Sequence, residues 1–218
     1  MHGTFRVAVL ASHSGSNLQA LLDDSQNPRS GYEVVLVISN NRDSPALDRA
    51  RAARIPAVHL SRQVHPDPDR LDAVVVETLS AQRVDLAVTA GYLRKIGPRT
   101  QAAYQGRIVN IHPALLPRHG GRGMYGRAVH EAVLACGDPT SGASVHVVTA
   151  DYDDGPVIAS RTVPVLPDDT AESLAVRVLQ AEHLLLPATV RALAARRDPP
   201  HPPAEPSRSR AAAGPGST

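Results

Sequence analysis

The sequence contains no tryptophan, one phenylalanine and one cysteine, and aromatic residues make up only 3% of its 218 positions. With so few rings, the core has to be built from Val, Leu, Ile and Ala, and a surface that stacks nucleic-acid bases is not expected. A lone Cys136 excludes an intramolecular disulfide and leaves no thiolate set for a structural zinc. In the stretch AVLACGD it is expected as a small, half-buried thiol at a helix end. No run approaches the roughly 18 consecutive apolar residues of a membrane span, and MHGTFRVAVLAS lacks the basic start and long apolar run of an export signal. Neither sign of charge dominates: Lys and Arg number 23 against 21 Asp and Glu, a formal net charge of +2. That is too small to mark a nucleic-acid binder. The expectation is a cytoplasmic protein that works without membrane or nucleic acid.

What the chain does have is alternation. Short apolar runs at 5–11, 33–39, 57–60, 85–90, 107–111, 142–149 and 157–165 read as strands. Segments of helical period at 18–24, 45–54, 70–82, 97–104, 124–135 and 170–197 lie between and after them, with Gly126 weakening the start of the fifth. Near-continuous apolar strands alternating with amphipathic helices predict an α/β, Rossmann-like fold. Its sheet is mostly parallel and twisted, with about seven strands, the last two candidates for antiparallel pairing, and helices on both faces. One domain over 1–197 is expected. From residue 198 the chain (DPPHPPAEPSRSRAAAGPGST) has no apolar period and reads as a disordered tail. Arg208 and Arg210 in it are taken as solvated charges.

In open α/β sheets ligands bind beyond the C-terminal strand ends, and three polar segments fall there. Ser12-His13-Ser14-Gly15-Ser16-Asn17 combines a glycine with the start of a helix, which suits a phosphate monoester. A simple N-cap by Ser14 or Ser16 is the other reading. In Asn110-Ile111-His112-Pro113 the strand period of two points Asn110 and His112 to one side, and Pro113 ends the strand. That places an amide donor beside an imidazole, either as oxyanion stabiliser and proton carrier or as a satisfied polar strand end. In the turn between the last strands, Asp151, Asp153 and Asp154 either only make the bend or turn one carboxylate toward His112. His112, His119, His130 and His146 show no HExxH or other paired spacing, so no metal is expected; His130 and His146 are read as structural.

These three segments, in this order, resemble the folate-dependent formyltransferases. Within them the chain resembles the phosphoribosylglycinamide formyltransferase (glycinamide ribonucleotide transformylase) family over residues 5–195. The most specific element is Asn110-Ile111-His112-Pro113-Ala114-Leu115-Leu116-Pro117 followed by Asp153 and Gly155; Gly15-Ser16-Asn17 points to this family in particular. The resemblance implies an enzyme of de novo purine biosynthesis that moves the formyl group of 10-formyltetrahydrofolate to the amine of glycinamide ribonucleotide. Direct attack through a tetrahedral intermediate is implied, without a metal. Asn110, His112 and Asp153 would be catalytic, and Gly15, Ser16 and Asn17 would bind the substrate phosphate. Leu93, Arg94, Lys95 and Ile96 would border the folate, and Glu182 would contact the other substrate. Asp153 is expected to raise the His112 pKa, so that protonated His112 and Asn110 stabilise the oxyanion.

The chain departs from the family pattern in places. His13 stands where the family has Gly, and Pro68 where it often has a phosphate-binding Arg, with Arg70 the nearest substitute. Gly120 to Gly126 are expected to form a mobile loop or a plain helix-entry turn. Hydrolysis of 10-formyltetrahydrofolate, as in the deformylases, and a non-catalytic sugar-phosphate-binding module are the alternatives. An RNA-binding domain after 197, as in methionyl-tRNA formyltransferase, and a regulatory domain before residue 5 are not expected. Monomer and homodimer both remain open.

Overall fold

Alternate side chains of the first strand, β1 (Phe5–Leu10), enter two different cores. Phe5, Val7 and Val9 join one; Ala8 and Leu10 join the other. A strand buried on both faces has no use for polar residues, which is why the run is almost wholly apolar. Each fully buried Val or Leu contributes about 1.5–3 kcal/mol. The computed structural model describes residues 3–197, and the proposed tail at 198–218 lies outside the described residues.

The chain runs outward from β1 through α1 (Ser16–Ser25), β2 (Tyr32–Ser39) and α2 (Pro45–Ala52) to β3 (Ala57–His59). It then returns through α3 (Pro68–Ala81) to β4 (Leu86–Ala90), which pairs with β1 on its other side. α4 (Pro98–Ala103), β5 (Ile108–His112), α5 (Arg127–Ala135), β6 (Thr140–Val147), β7 (Val157–Pro164) and α6 (Ala171–Arg196) follow. The sheet order is β3-β2-β1-β4-β5-β6-β7. The first five strands are parallel, and β6 and β7 pair antiparallel. Side chains of α1, α2, α5 and α6 share the core of Val7 and Val9, while α3 packs in the core of Ala8 and Leu10. A bulge in β2, where Val7 faces Val34 but Ala8 faces Leu36, sends both Val35 and Leu36 to the second core. The reversal of direction opens a crevice between the C-terminal ends of β1 and β4.

The predicted elements match the observed ones closely, with three differences. Helix α1 starts at Ser16, so Ser16 and Asn17 belong to its first turn, and its cap is Gly15 with no side-chain bond rather than Ser14 or Ser16. Helix α5 starts at Arg127 instead of 124, because Gly126 sits at φ 57, ψ −135, outside helical space. Cys136 is exposed, not half-buried: the buried stripe of α5 is Val129, His130 and Val133, and the helix ends before Cys136 can extend it. Among the described residues, no helix is long and apolar enough to cross a membrane.

One buried carboxylate ties α3 to α4. Asp72 accepts from the backbone N–H groups of Arg99 (2.7 Å) and Thr100 (3.1 Å) and from the Thr100 hydroxyl (2.5 Å). It thereby caps α4, whose own N-cap, Gly97, has no side chain to do so. The segment leading into that cap carries Leu93 to Ile96. Asp72→Ala should cost about 2–3 kcal/mol in urea unfolding, since it orphans two buried donors, and Asp72→Asn should cost clearly less because it keeps an acceptor. An Ala variant as stable as the parent would show that the cap contributes nothing.

Candidate active site

The two-residue period of β5 places Asn110 and His112 on one side of the sheet, and Asp153 reaches them from the β6–β7 turn. Asp153 Oδ2 lies 3.5 Å from His112 Nδ1 and accepts from the Gly121 N–H at 3.0 Å. Its Oδ1 lies 3.3 Å from His146 Nε2 and 3.5 Å from Asn110 Nδ2. A Cβ on Gly120 would meet Leu116 Cδ2 at 2.5 Å and Asp153 Cβ at 3.2 Å, so a larger residue would have to push the Leu116 side chain aside and press on Asp153. The Thr89 hydroxyl donates to Asn110 Oδ1 (2.8 Å), which aims Nδ2 at His146 Nε2 (3.1 Å). His146 Nδ1 lies 3.0 Å from the Val147 carbonyl, so in the neutral ring Nε2 is the acceptor.

Burial alone would raise the Asp153 carboxyl, but its contacts with His146, His112 and the Gly121 N–H outweigh this and hold it below the usual carboxylate range. His112 goes the other way. It is 3% exposed, and desolvation lowers its pKa by more than Asp153 raises it. The expectation that Asp153 would leave His112 charged is therefore corrected: the resting ring is neutral near pH 7. Its Nε2–H donates to the His119 carbonyl at 2.8 Å, so the lone pair sits on Nδ1, facing Asp153. A proton taken up there is stabilised by the carboxylate. His130, also buried, is pushed down chiefly by burial, and the proximity of His112 disfavours its charged form further.

Elsewhere in the crevice lining, Gly15 adopts φ 69, a left-handed conformation. The first intrahelical bond of α1 runs from Gln19 N to Gly15 O, so the N–H groups of Ser16, Asn17 and Leu18 have no partner within the helix. His13 is accommodated by facing solvent, while its carbonyl accepts from the Ser44 hydroxyl (2.8 Å) and Ala46 N (3.2 Å). Pro68 is the first residue of α3, and Arg70 pairs with Glu77 (2.9 Å) on the surface, so Arg70 does not replace the missing arginine. Asn17 Nδ2 donates to Glu182 Oε2 (2.7 Å), while its Oδ1 is buried without a partner. Glu182 is 6% exposed, and burial pushes its carboxyl up to about 7, against the Asn17 hydrogen bond.

The Leu93 N–H donates to the Ser12 hydroxyl (2.8 Å), fixing the turn after β4. Leu93 is exposed at the rim, Ile96 is buried, and Lys95 Nζ stands 5.7 Å from the centre of the Tyr152 ring. Among the described residues no hydrogen bond occupies the backbone of Arg94 or Lys95. Burial pushes the Tyr92 hydroxyl up to about 12. Gly15, Ser16, Asn17, Leu93, Arg94, Lys95, Ile96, Asn110, His112, Asp153 and Glu182 all line one cleft of about 1220 Å³. Thr89, Gly121 and His146 line it too, and sequence reasoning missed them. The signal for His146 was its register: in the antiparallel β5–β6 pair it lies directly opposite Asn110.

Residues 5–190 match the model of the formyl transferase family. The chain is 39% identical over 193 residues to the chloroplastic phosphoribosylglycinamide formyltransferase of Vigna unguiculata, covering 88% of this chain and 62% of that protein. It is 41% identical over 184 residues to the trifunctional purine biosynthetic protein adenosine-3 of Drosophila melanogaster, covering 84% of this chain but 13% of that one. It thus spans less than two thirds of the length of either. The solved structure of glycinamide ribonucleotide transformylase 1 from Symbiobacterium toebii superposes with a TM-score of 0.83 at 39% identity, over 88% of this chain and 89% of that one. On the family match and this likeness in sequence and fold, the chain belongs to the formyl transferases.

Proposed function

We propose that this chain transfers the formyl group of 10-formyltetrahydrofolate to the amine of glycinamide ribonucleotide, a step of purine synthesis. One observation carries the reading: Asn110, His112 and Asp153 line the same cleft as the N-terminal turn of α1, which has no side-chain cap. A helix start with free N–H groups suits a phosphate. A cleft of about 1220 Å³ exceeds the roughly 300–1,000 Å³ of a pocket for one small ligand. Two ligands meeting end to end match that volume. The Ser16, Asn17 and Leu18 N–H groups would hold the phosphate, and Glu182 would meet the ribose or amine. The segment Leu93 to Ile96, with the backbone of Arg94 and Lys95 open, would receive the pterin.

The folate supplies the formyl carbon as the electrophile. As the substrate nitrogen bonds to that carbon, the carbonyl electron pair moves onto oxygen, and Asn110 turns an amide hydrogen toward it. Neutral His112 accepts the nitrogen's proton at Nδ1, and Asp153 stabilises the imidazolium. The positive charge of the ring then stabilises the oxyanion beside it. As the oxyanion collapses and the carbon–N10 bond breaks, His112 returns the proton to N10, directly or through a water held by Asp153. Two free small molecules in the cytoplasm, no nucleic acid and no membrane complete the reading, for a monomer or a homodimer.

Asn110→Ala, His112→Ala and Asp153→Ala should each lose on the order of 10²–10³ in kcat with the fold intact. Absorbance at the folate band, with and without glycinamide ribonucleotide, checks both the loss and the reaction class. Turnover that ignores the amine would mean hydrolysis, and a fully active His112→Ala enzyme would end the assignment. A pH effect follows from Glu182. Its folded pKa is raised, so its stabilising contribution is complete below the ordinary value of 4.5 and is lost as pH climbs through about 7. Urea titrations should show Glu182→Gln gaining on the parent by roughly 2.5 kcal/mol between pH 5 and pH 8. A gap that stays constant across that range would refute the raised pKa.

A further inference from the structure

The carbonyl that fixes the His112 tautomer belongs to a residue under constraint. His119 sits at φ 55, left-handed for a residue with a side chain, a conformation that costs about 1 kcal/mol or more unless its surroundings enforce it. What enforces it is visible. His119 Nε2 lies 2.6 Å from Asp138 Oδ2, just beyond the end of α5, and their side chains are 11% and 10% exposed. Asp138 is itself tied back to α5 by its N–H to the Val133 carbonyl. Two residues on, the Gly121 N–H meets Asp153. The loop therefore touches the catalytic trio twice, through one carbonyl and one N–H, and the His119–Asp138 contact is the side-chain anchor between them. Arg118 reaches the other Asp138 oxygen from the solvent side, with its own side chain 65% exposed.

We propose that His119 and Asp138 form a positioning pair for His112, holding the His119 carbonyl where it keeps the His112 proton on Nε2. The proposal rests on the reading of His112 as the group that accepts a proton at Nδ1. Which ring nitrogen carries the proton is set by the partner of the other. If the carbonyl leaves, Asp153 beside Nδ1 favours the opposite tautomer. A neutral ring with its hydrogen on Nδ1 presents no lone pair to the substrate.

The test uses the full chain, with His119→Phe, which keeps bulk without a donor, together with Asp138→Ala, Asp138→Asn and Arg118→Ala. Without substrates, the ¹⁵N shifts of the His112 ring should report hydrogen on Nε2 in the parent and move toward Nδ1 in His119→Phe and Asp138→Ala. In turnover, these two should lose about 10- to 100-fold in kcat. Both KM values should hold within about twofold. Asp138→Asn, which keeps an oxygen for His119, should recover most of the rate, and Arg118→Ala should match the parent. If His119→Phe does not fold, Asp138→Ala gives the same reading. Unmoved ring shifts overturn the pair, and so does an equal loss in Arg118→Ala, which would mean general loosening of the loop. A parent without turnover would remove the formyl-transfer reading, yet the ring shifts would still decide the pairing.

Discussion

A partly buried carboxylate has to be surrounded by donors, and in this protein that requirement organises the whole catalytic end. Asp153 draws on a strand, a neighbouring strand and a loop at once: the Asn110 amide of β5 and the Gly121 N–H donate to it, and the rings of His112 on β5 and His146 on β6 lie within 3.5 Å of it. Left unpaired in such a place, a charge costs several kcal/mol, so each donor is held to its task by the others. The Asp153 backbone takes a left-handed φ of 54 to present the side chain inward, while Asp151 and Asp154 on either side stay in solvent. The antiparallel turn between β6 and β7 thus serves the chemistry, because it delivers one carboxylate over the end of a parallel strand.

The fold was legible because its strands are buried on both faces. Runs such as FRVAVL and YEVVLVIS admit few readings, and the helices between them carry their own stops. Asn110 and His112 were legible from strand period alone. Turn chemistry alone showed Asp153 only as one of three carboxylates and the family resemblance singled it out, since which of them turns inward depends on the backbone angle at that position. His146 was read as structural because nothing local marks it; only the register that sets it opposite Asn110 reveals its part.

The charge state of His112 was misjudged for a different reason. A neighbouring carboxylate is easy to infer from sequence, whereas the degree of desolvation is not, and here desolvation is the larger influence. Arg70 is decided by a different partner: Glu77, two turns along the same face of α3, holds it on the surface. Glu182 was named only through the resemblance: nothing local marks a buried glutamate on a long helix, and it is the packing of α1 against α6 that encloses it beside Asn17. Local pattern locates the chemistry-bearing residues, and tertiary enclosure decides how they behave.

The tight seat of Gly15 on α2 has a consequence of another kind. A Cβ at that position would lie 2.8 Å from both Ala46 Cα and Ala46 Cβ, so the loop rests against a helix with no clearance behind it. The amide hydrogens that face the crevice are held in place from the back before any anion arrives. Little ordering entropy then remains to be lost on association, and the discrimination between anions falls to shape, because a rigid ring of donors cannot contract or widen to suit a different guest.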